Sequence, residues 1–531
     1  MRLDDWFLTA AERGNAHSAI DRRRAGVAWT QGNHAEVLID GVEYFARLHA
    51  AVSAAAPGDS IYLTGLEGAA DERLAGAGTE VARVFGELAE RGVQIMGLLW
   101  RSHGATKEPR NLLFSRALNT AGGHVLLDNR IRRGGSHHQK IVVVRRQDPT
   151  AHDVAFVGGM DLVYGRHDDH THRGDPQAAE VDADHYDERP GWHDVQVSLR
   201  GPAVDDVAFT FRERWEDPAP LDRRNPVRWL QHRLGRHPVE RVALPAERPV
   251  VSHGDGPHAV QVLRTYPARR KRYPFAPDGE RSIARAYIKA FGRARRLIYL
   301  EDQYLWSFDA TELLCDALRR EPDLRVVIVI PRYPDPAGRI AGAASVFGRE
   351  RVQDALYAAG GDRVAIYDLE RDDGTAVYVH SKACIVDDLW LAVGSDNLNR
   401  RSWTHDSEIS CAIVDDTRDE REPRDPAGRG EGARTLARDT RLRLAVEHTA
   451  GSVDPDAMID PEEWFDALRR SAAALDAWHL DGEGATRPPG HLRAHPIERV
   501  RARRRGLLHL AHAHVLDPDG RPRALKRRDA Y

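Results

Sequence analysis

Apolar residues along this chain fall into two kinds of segment: amphipathic stretches at helical spacing and short, unbroken apolar runs. DGVEYFARLHAAVSAA (40–55) carries an apolar stripe of helical period, and PGDSIYLTGLEG then predicts a turn and a strand over 60–65. A second amphipathic helix is predicted over 79–91, ended by Gly92, and VQIMGLLW (93–100) has the length and continuous apolarity of a strand buried on both faces. Helix, strand, helix, strand is the signature of a layered α/β domain. The order returns later in the chain. ERSIARAYIKAFGRA (280–294) predicts a helix, RLIYLEDQYLW (296–306) a strand running into a polar loop, 310–320 a helix, and LRVVIVIP (324–331) a strand closed by proline. Each half then enters a His-x-Lys hairpin, so the pattern describes an internal duplication of very long period rather than a short-repeat solenoid.

Between the halves, residues 217–257 are rich in Arg, Pro and His and weakly periodic, as in a linker. Residues 417–434 are charged, contain Pro and Gly, and predict a mobile surface loop. WFDALRRSAAALDAW (464–478) predicts a C-terminal helix before a basic tail. The expected divisions are a first half over 1–216, the linker over 217–257, a second half over 258–452, and the helix with its tail over 453–531.

Composition narrows the class. With 531 residues, 41% apolar and 30% charged, the chain matches a soluble globular protein of more than one domain. Lys and Arg number 77 against 81 Asp and Glu, a net charge of −4, so no global basic field argues for a nucleic-acid partner. From Arg487 to Tyr531 there are twelve basic and four acidic residues, a local +8 that reads as a solvated tail or as a contact for anionic headgroups. The three cysteines Cys315, Cys384 and Cys411 form no disulfide framework and suit a reducing, cytoplasmic compartment. The early acidic residues leave no apolar core for a signal peptide, and no run reaches the length of a membrane span. A lipid substrate would be met from the water side, by a protein peripheral to the membrane.

The candidate chemistry lies in two related segments. VYVHSKACIVDDLWLAVGSDNLNRRSW places His380, Lys382, Asp387, Gly394, Ser395 and Asn397 on a predicted hairpin. Residues two apart on a strand share a face, so His380 and Lys382 project together, and Ser395 and Asn397 can meet them from the returning strand. An imidazole, an ammonium, a hydroxyl and an amide converging on one spot suit a phosphate. SHHQKIVVVRRQDPTAHDVAFVGGMDLVYG repeats the arrangement, with His138 and Lys140 matching His380 and Lys382, and with Gly158, Gly159 and Asp161 matching Gly394, Ser395 and Asn397. One His-x-Lys carries little information; two copies 242 residues apart, each followed by a hairpin and a Gly-rich return strand, carry much.

HSKACIVDDLWLAVGSDN resembles the HxKxxxxDxxxxxxGSxN signature of the phospholipase D superfamily. HHQKIVVV, AFVGGMDLVYGR, GWHDVQVSLRGPAVDDVAFTFRERW, IYLEDQYLW, THDSEIS and GHLRAHPIERV resemble further blocks of its eukaryotic-type members, over roughly 40–448 and near the end of the chain. The resemblance implies a pseudo-dimer of two similar α/β/α layered domains facing each other, with His138 and His380 a few ångströms apart. It makes His138 the nucleophile that forms a phosphohistidine and His380 the acid/base, a choice that the symmetry of the motifs leaves open. Lys140, Lys382 and Asn397 would hold the nonbridging oxygens, with Ser395, Gly159 and Asp161 at the substrate and Asp387 completing the second motif. Glu408 would orient His138 and Asp168 would orient His380. The first motif departs from the signature: Arg145 stands where an aspartate is expected, with Asp148 or Asp153 as substitutes across an enlarged turn and Arg145 pointing to solvent.

The implied reaction is hydrolysis of glycerophospholipids such as phosphatidylcholine to phosphatidic acid and a free headgroup, with transfer to alcohols as a side reaction. A cardiolipin synthase-like phosphatidyltransferase is the nearest alternative. A nuclease and a noncatalytic lipid-binding protein come after it. The mechanism implies no cofactor and no metal. HDDHTH (167–172) is read as a polar loop near the cleft, with a metal site as the alternative. Trp192 is read as core, or else as the cleft rim. The expected partner is a phospholipid at a membrane surface, bound by a monomer.

Overall fold

The structure is a computed structural model that describes all residues except 23–25, 103–107, 178–188, 222–240, 248–252, 334–338, 485, 502 and 504. Much of the 217–257 linker therefore lies outside the described residues. The first half contributes strands β1 (Thr30–Ile39), β2 (Ser60–Gly65), β3 (Gln94–Trp100), β4 (His124–Asp128), β5 (Ile141–Arg145), β6 (Val154–Gly158), β7 (Gly191–His193) and β8 (Val195–Arg200). The second contributes β9 (His258–Tyr266), β10 (Glu280–Arg281), β11 (Leu297–Glu301), β12 (Arg325–Val329), β13 (Val364–Glu370), β14 (Ala376–Val379), β15 (Ala383–Val386), β16 (Trp390–Gly394) and β17 (Glu408–Asp415), and β18 (Leu492–Ala494) follows near the C-terminus.

The register shows the duplication directly. The first sheet runs β4-β3-β2-β5-β6-β8-β1, parallel among β4, β3 and β2 and antiparallel beyond. The second runs β13-β12-β11-β15-β16-β17-β9 with the same pattern of directions. Each parallel step is bridged by a helix, as parallel strands require, and each antiparallel step is closed by a hairpin or a longer return.

Period-two alternation decides what each face meets. In β2, Ile61 and Leu63 turn outward to pack with Phe45, Leu48 and Phe85 of the flanking helices, while Tyr62 turns inward. In β11, Ile298 and Leu300 pack outward and Leu297 and Tyr299 inward. The inner faces are covered by the helices Ala203–Glu216 and Thr435–His448, which follow β8 and β17, so each half is an α/β/α sandwich. The inward residues of both sheets belong to one buried cluster that includes Val197, Trp215, Val262 and Ile413. Two strand pairs also cross between the halves, β1 with β9 and β7 with β14.

Three expectations need revision. The strand β1 and the long helix Arg339–Gly360 have no counterpart in the sequence reading. The segment 417–434 is tied down rather than mobile: Arg438 donates to Arg421 O at 2.9 Å and to Pro423 O at 2.7 Å, and Arg421 pairs with Asp419 and Asp439. Charge predicted a mobile loop there, but one buried arginine of the following helix, Arg438, reaches back to two loop carbonyls. The C-terminal segment is likewise no simple tail, because β18 pairs with the edge of β13 and the helix Pro461–Leu480 packs against it. Cys315, Cys384 and Cys411 are all buried and unpaired.

Candidate active site

Both His-x-Lys segments sit immediately before the inner hairpins, at the C-terminal ends of the parallel strands. His138 N donates to Ser407 O at 2.9 Å, and His380 N donates to His193 O at 2.8 Å. Each histidine is thus stitched to the opposite half of the chain.

The side chains cross in the same way. His138 Nδ1 lies 2.9 Å from Glu408 Oε2, at the start of β17. His380 Nδ1 lies 2.7 Å from Asp194 Oδ2, just before β8. A carboxylate on Nδ1–H leaves Nε2 as the free nitrogen of each ring. Glu408 is held in turn by Ser395 Oγ, which donates to Oε2 at 2.6 Å and accepts from Ile409 N at 3.1 Å. Asp194 is held by Val195 N at 2.9 Å and Trp192 Nε1 at 3.3 Å.

Asp168 is therefore not the partner of His380. Its carboxylate accepts from the backbone N–H groups of Trp192 at 2.7 Å, Asp169 at 2.9 Å and Gly174 at 3.0 Å, and so ties a loop to β7. The strand register contains the correct answer. Gly158 pairs with Gln196 and Gly394 pairs with Ser410, so two residues earlier on each strand Asp194 is the equivalent of Glu408. A 36-residue step from Gly158 to Asp194, against 14 from Gly394 to Glu408, hides that equivalence in the sequence.

Asp387 is a support, too, and does not face the cleft. It sits at the hairpin turn with φ +54° and accepts from the N–H groups of Arg295, Arg296 and Leu297 at 2.9, 2.8 and 2.9 Å, which anchors the hairpin to the start of β11. In the first half this anchor is reversed. Asp59, at the start of β2, accepts from Gln147 N at 2.7 Å and Arg146 Nη1 at 3.0 Å in the turn after β5. Neither candidate substitute takes that place: Asp148 caps Thr150 within its own turn, and Asp153 accepts from Arg146 N at 2.6 Å. Arg145 does not point to free solvent; its guanidinium lies 2.6 Å from Asp205 and 3.4 Å from Asp153, on the far side of the sheet from Lys140. Arg145→Ala is expected to lower the melting temperature, by leaving two carboxylates uncompensated, and to hold kcat within about tenfold, or ~1.4 kcal/mol of barrier. Thermal denaturation with steady-state kinetics checks both.

The lysines are placed by their own hairpins. Lys140 Nζ donates to His138 O at 3.1 Å and lies 3.3 Å from Asp161 Oδ2. Lys382 Nζ bonds His380 O and lies 3.3 Å from Gln303 Oε1. Asp161 thereby pairs with a lysine instead of meeting an anionic substrate, and its other oxygen accepts from Leu66 N at 2.9 Å. Gly159 is also no substrate contact: a Cβ there would stand 2.1 Å from Asp194 Oδ1, so the carboxylate fills the space that the Ser395 side chain occupies in the other half. Ser395 spends its hydroxyl on Glu408. Asn397 does line the cleft, and its buried Oδ1 has no hydrogen-bond partner.

The cleft encloses about 390 Å³ beside His138, with Trp100, Tyr304 and Trp306 among its walls. The His380 imidazole packs against Trp192, whose ring centroid lies 4.8 Å from both the imidazole of His380 and the ring of Tyr378. Arg166, unnoticed in the sequence, lies 3.5 Å over the Trp192 ring and brings its charge close enough to act on His380. Burial holds the imidazolium forms of both histidines down, well below the usual range, and the lysines and Arg166 add to it at His380. Burial also raises Glu408 and Asp194. Lys382 is pushed down to about 8 by burial, against the pull of Asp194 and Asp302.

Comparison with known proteins agrees with this duplicated site. A family model described as Phospholipase D matches residues 119–310, and one described as Cardiolipin synthase, PLD-like domain matches 287–421. Phospholipase D beta 2 of Arabidopsis thaliana is 27% identical over 471 residues, 68% of this chain and 48% of that protein. Phospholipase D alpha 1 of Cynara cardunculus is 26% identical over 478 residues, 71% of this chain and 56% of that protein. The chain thus spans about half the length of the curated relatives it matches. Among solved structures, phosphatidylserine synthase of Haemophilus influenzae Rd KW20 superposes with a TM-score of 0.48 at 15% identity, over 75% of this chain and 87% of that one. With one matched model over each His-x-Lys segment, the chain belongs to the phospholipase D superfamily, and across both segments it is similar to plant phospholipases D.

Proposed function

We propose that the chain is a phosphodiesterase that cleaves glycerophospholipids through a phosphohistidine on His138. The observation that carries this reading is the pair of crossed histidine–carboxylate contacts, His138 with Glu408 and His380 with Asp194, flanked by Lys140 and Lys382. A phosphodiester resists attack because its charge repels nucleophiles, so the site must neutralise that charge before anything else. Lys140, Lys382 and the amide of Asn397 supply positive charge and donors for the nonbridging oxygens. His138 Nε2, neutral because burial disfavours its charged form, attacks phosphorus as Glu408 takes up the developing charge through Nδ1–H. The phosphate anion offsets the lysine field that depresses His380, which brings its proton-donating form into range. His380 protonates the leaving alkoxide and then removes a proton from the acceptor, water or alcohol, that breaks the P–N bond.

A lipid substrate is supported by the plant relatives, which are named phospholipases D, and by the cleft surroundings. Val515 and Leu516 line the cleft, and exposed Leu507 and Leu510 lie close by in sequence, next to the exposed Arg501, Arg503 and Arg505. Apolar side chains with a basic border suit an anionic bilayer surface. Among the described residues no helix is long and apolar enough to cross a membrane. A phosphatidyltransferase would use the same intermediate and differ only in its acceptor.

The test is product analysis on phosphatidylcholine vesicles with and without ethanol. Phosphatidic acid is expected in water, and phosphatidylethanol should replace it as ethanol rises. Water as the sole acceptor at high ethanol would count against the covalent route. A second expectation concerns pH. Lys382 must be charged to hold phosphate and loses its proton near 8, so kcat/KM should fall as pH rises through about 8. Lys382→Arg, whose charge persists, should lose that alkaline limb even if its rate is lower; a pH–rate profile for each protein decides.

A further inference from the structure

Next to the backbone that holds His380, four ligand-type side chains meet in the interior. Asp40 opens the helix Asp40–Ser53, His172 ends the HDDHTH loop, His193 ends β7, and Glu447 comes from the helix Thr435–His448 of the other half. One potential ligand atom from each lies within 4.8 Å of all the others. His193 Nδ1 is 3.0 Å from Asp40 Oδ1 and 2.9 Å from Glu447 Oε1, and His172 Nε2 is 3.6 Å from Glu447 Oε1. Four ligands bonded at about 2.0–2.2 Å to a tetrahedral ion stand about 3.3–3.6 Å apart; the edge from His172 to Glu447 already has that length, and the two from His193 need to open by a few tenths of an ångström.

Three further observations point to a ligand. Both ring nitrogens of His172, together with Asp40 Oδ2, are buried with no hydrogen-bond partner. Such orphaned groups are costly unless something satisfies them. The far nitrogen of His193, Nε2, lies 2.9 Å from Glu301 Oε2. Glu301 is itself held by Tyr299 Oη and by His448 Nε2 at 3.0 Å. A carboxylate on the distal nitrogen is how proteins orient a metal-ligating histidine and raise its basicity. Finally, Asp40 adopts φ +60°, which a non-glycine residue avoids unless its surroundings enforce it.

We infer that Asp40, His172, His193 and Glu447 bind a borderline transition-metal dication of the Zn2+ class. Two imidazoles and two carboxylates select that class over Mg2+ or Ca2+, which prefer all-oxygen shells. Four protein ligands leave no open position for substrate, so the ion is structural and takes no part in phosphoryl transfer. It joins three ligands of the first half to one of the second. It also fixes His193, whose carbonyl receives the His380 N–H and whose neighbour Asp194 orients the His380 ring.

Elemental analysis of the full chain, expressed with Zn2+ in the medium and gel-filtered in EDTA, tests this. About one ion per chain is expected, because a closed buried site releases metal slowly. The double variant His172→Ala, Glu447→Gln should retain less than about a tenth of that and melt at lower temperature. Because that variant could fold poorly, wild-type protein grown with Co2+ gives a second measurement: visible d–d absorption of four-coordinate Co2+, absent from protein grown without it. A folded wild-type protein free of d-block metal would overturn the inference and leave His193 as an imidazolium among the carboxylates. Full metal content in the double variant would overturn it as well, by placing the ion elsewhere.

Discussion

His138→Ala and His380→Ala are each expected to lower turnover by at least about 10⁴-fold, the upper range for loss of a positioned acid–base or nucleophilic group. The backbone bonds that stitch these segments to the opposite half use His138 N and His380 N, not the side chains. Melting temperatures should therefore change little. The two variants differ in what accumulates. His380→Ala keeps the nucleophile but loses the proton donor, so with a substrate carrying a good leaving group, such as a p-nitrophenyl phosphodiester, it should still form the intermediate and stall there. Mass spectrometry should then find the added phosphoryl mass on the peptide containing His138. Phosphate on His380 alone, in the His138→Ala protein, would reverse the roles.

The second large effect belongs to Asp194. Asp194→Asn should cost about 10²–10⁴ in kcat, because an amide in place of the carboxylate no longer fixes the Nδ1–H tautomer of His380 or stabilises its imidazolium. Asp168→Asn should reduce stability through the three backbone N–H groups it anchors and hold kcat within about tenfold. This pair separates a positioning carboxylate from a loop-fixing one. If Asp168→Asn stops turnover while Asp194→Asn spares it, the geometry described for His380 is wrong. Because Asp194 acts through the imidazole, its loss should also displace the acid limb of the pH–rate profile, which a purely structural change would not do.

The local parts of this protein were legible from its residues. Continuous apolar runs such as VQIMGLLW and LRVVIVIP announced strands buried on both faces, because parallel strands under helices have no solvated face. The two His-x-Lys hairpins announced themselves by repetition, and residues two apart on a strand must share a face whatever the fold. Glu408 entered through a family block, and the structure sets it 2.9 Å from His138. The carboxylates that support the site did not show themselves in the same way. Asp387 stood in the signature of the second motif, but Asp194 and Asp59 are each one acid among many in the sequence, and what each does depends on which strand lies beside it. Asp168 was nearer to a plausible motif, but β7 intervenes and takes its oxygens as acceptors for backbone N–H groups. HDDHTH looked like a polar loop near the cleft because all six of its residues are polar or charged; the fold drives His172 inside to meet Asp40, His193 and Glu447 from three other segments. Pairing across an interface is set by how two sheets close on one another, and only chain closure brings residues from opposite halves within 3 Å. Sequence alone determined which residues could do the chemistry and the hairpins they would adjoin, although His138, Lys140, His380 and Lys382 lie just ahead of the strands rather than on them. The tertiary structure decided which carboxylate serves which histidine, since that choice rests on contacts between halves that no local pattern encodes.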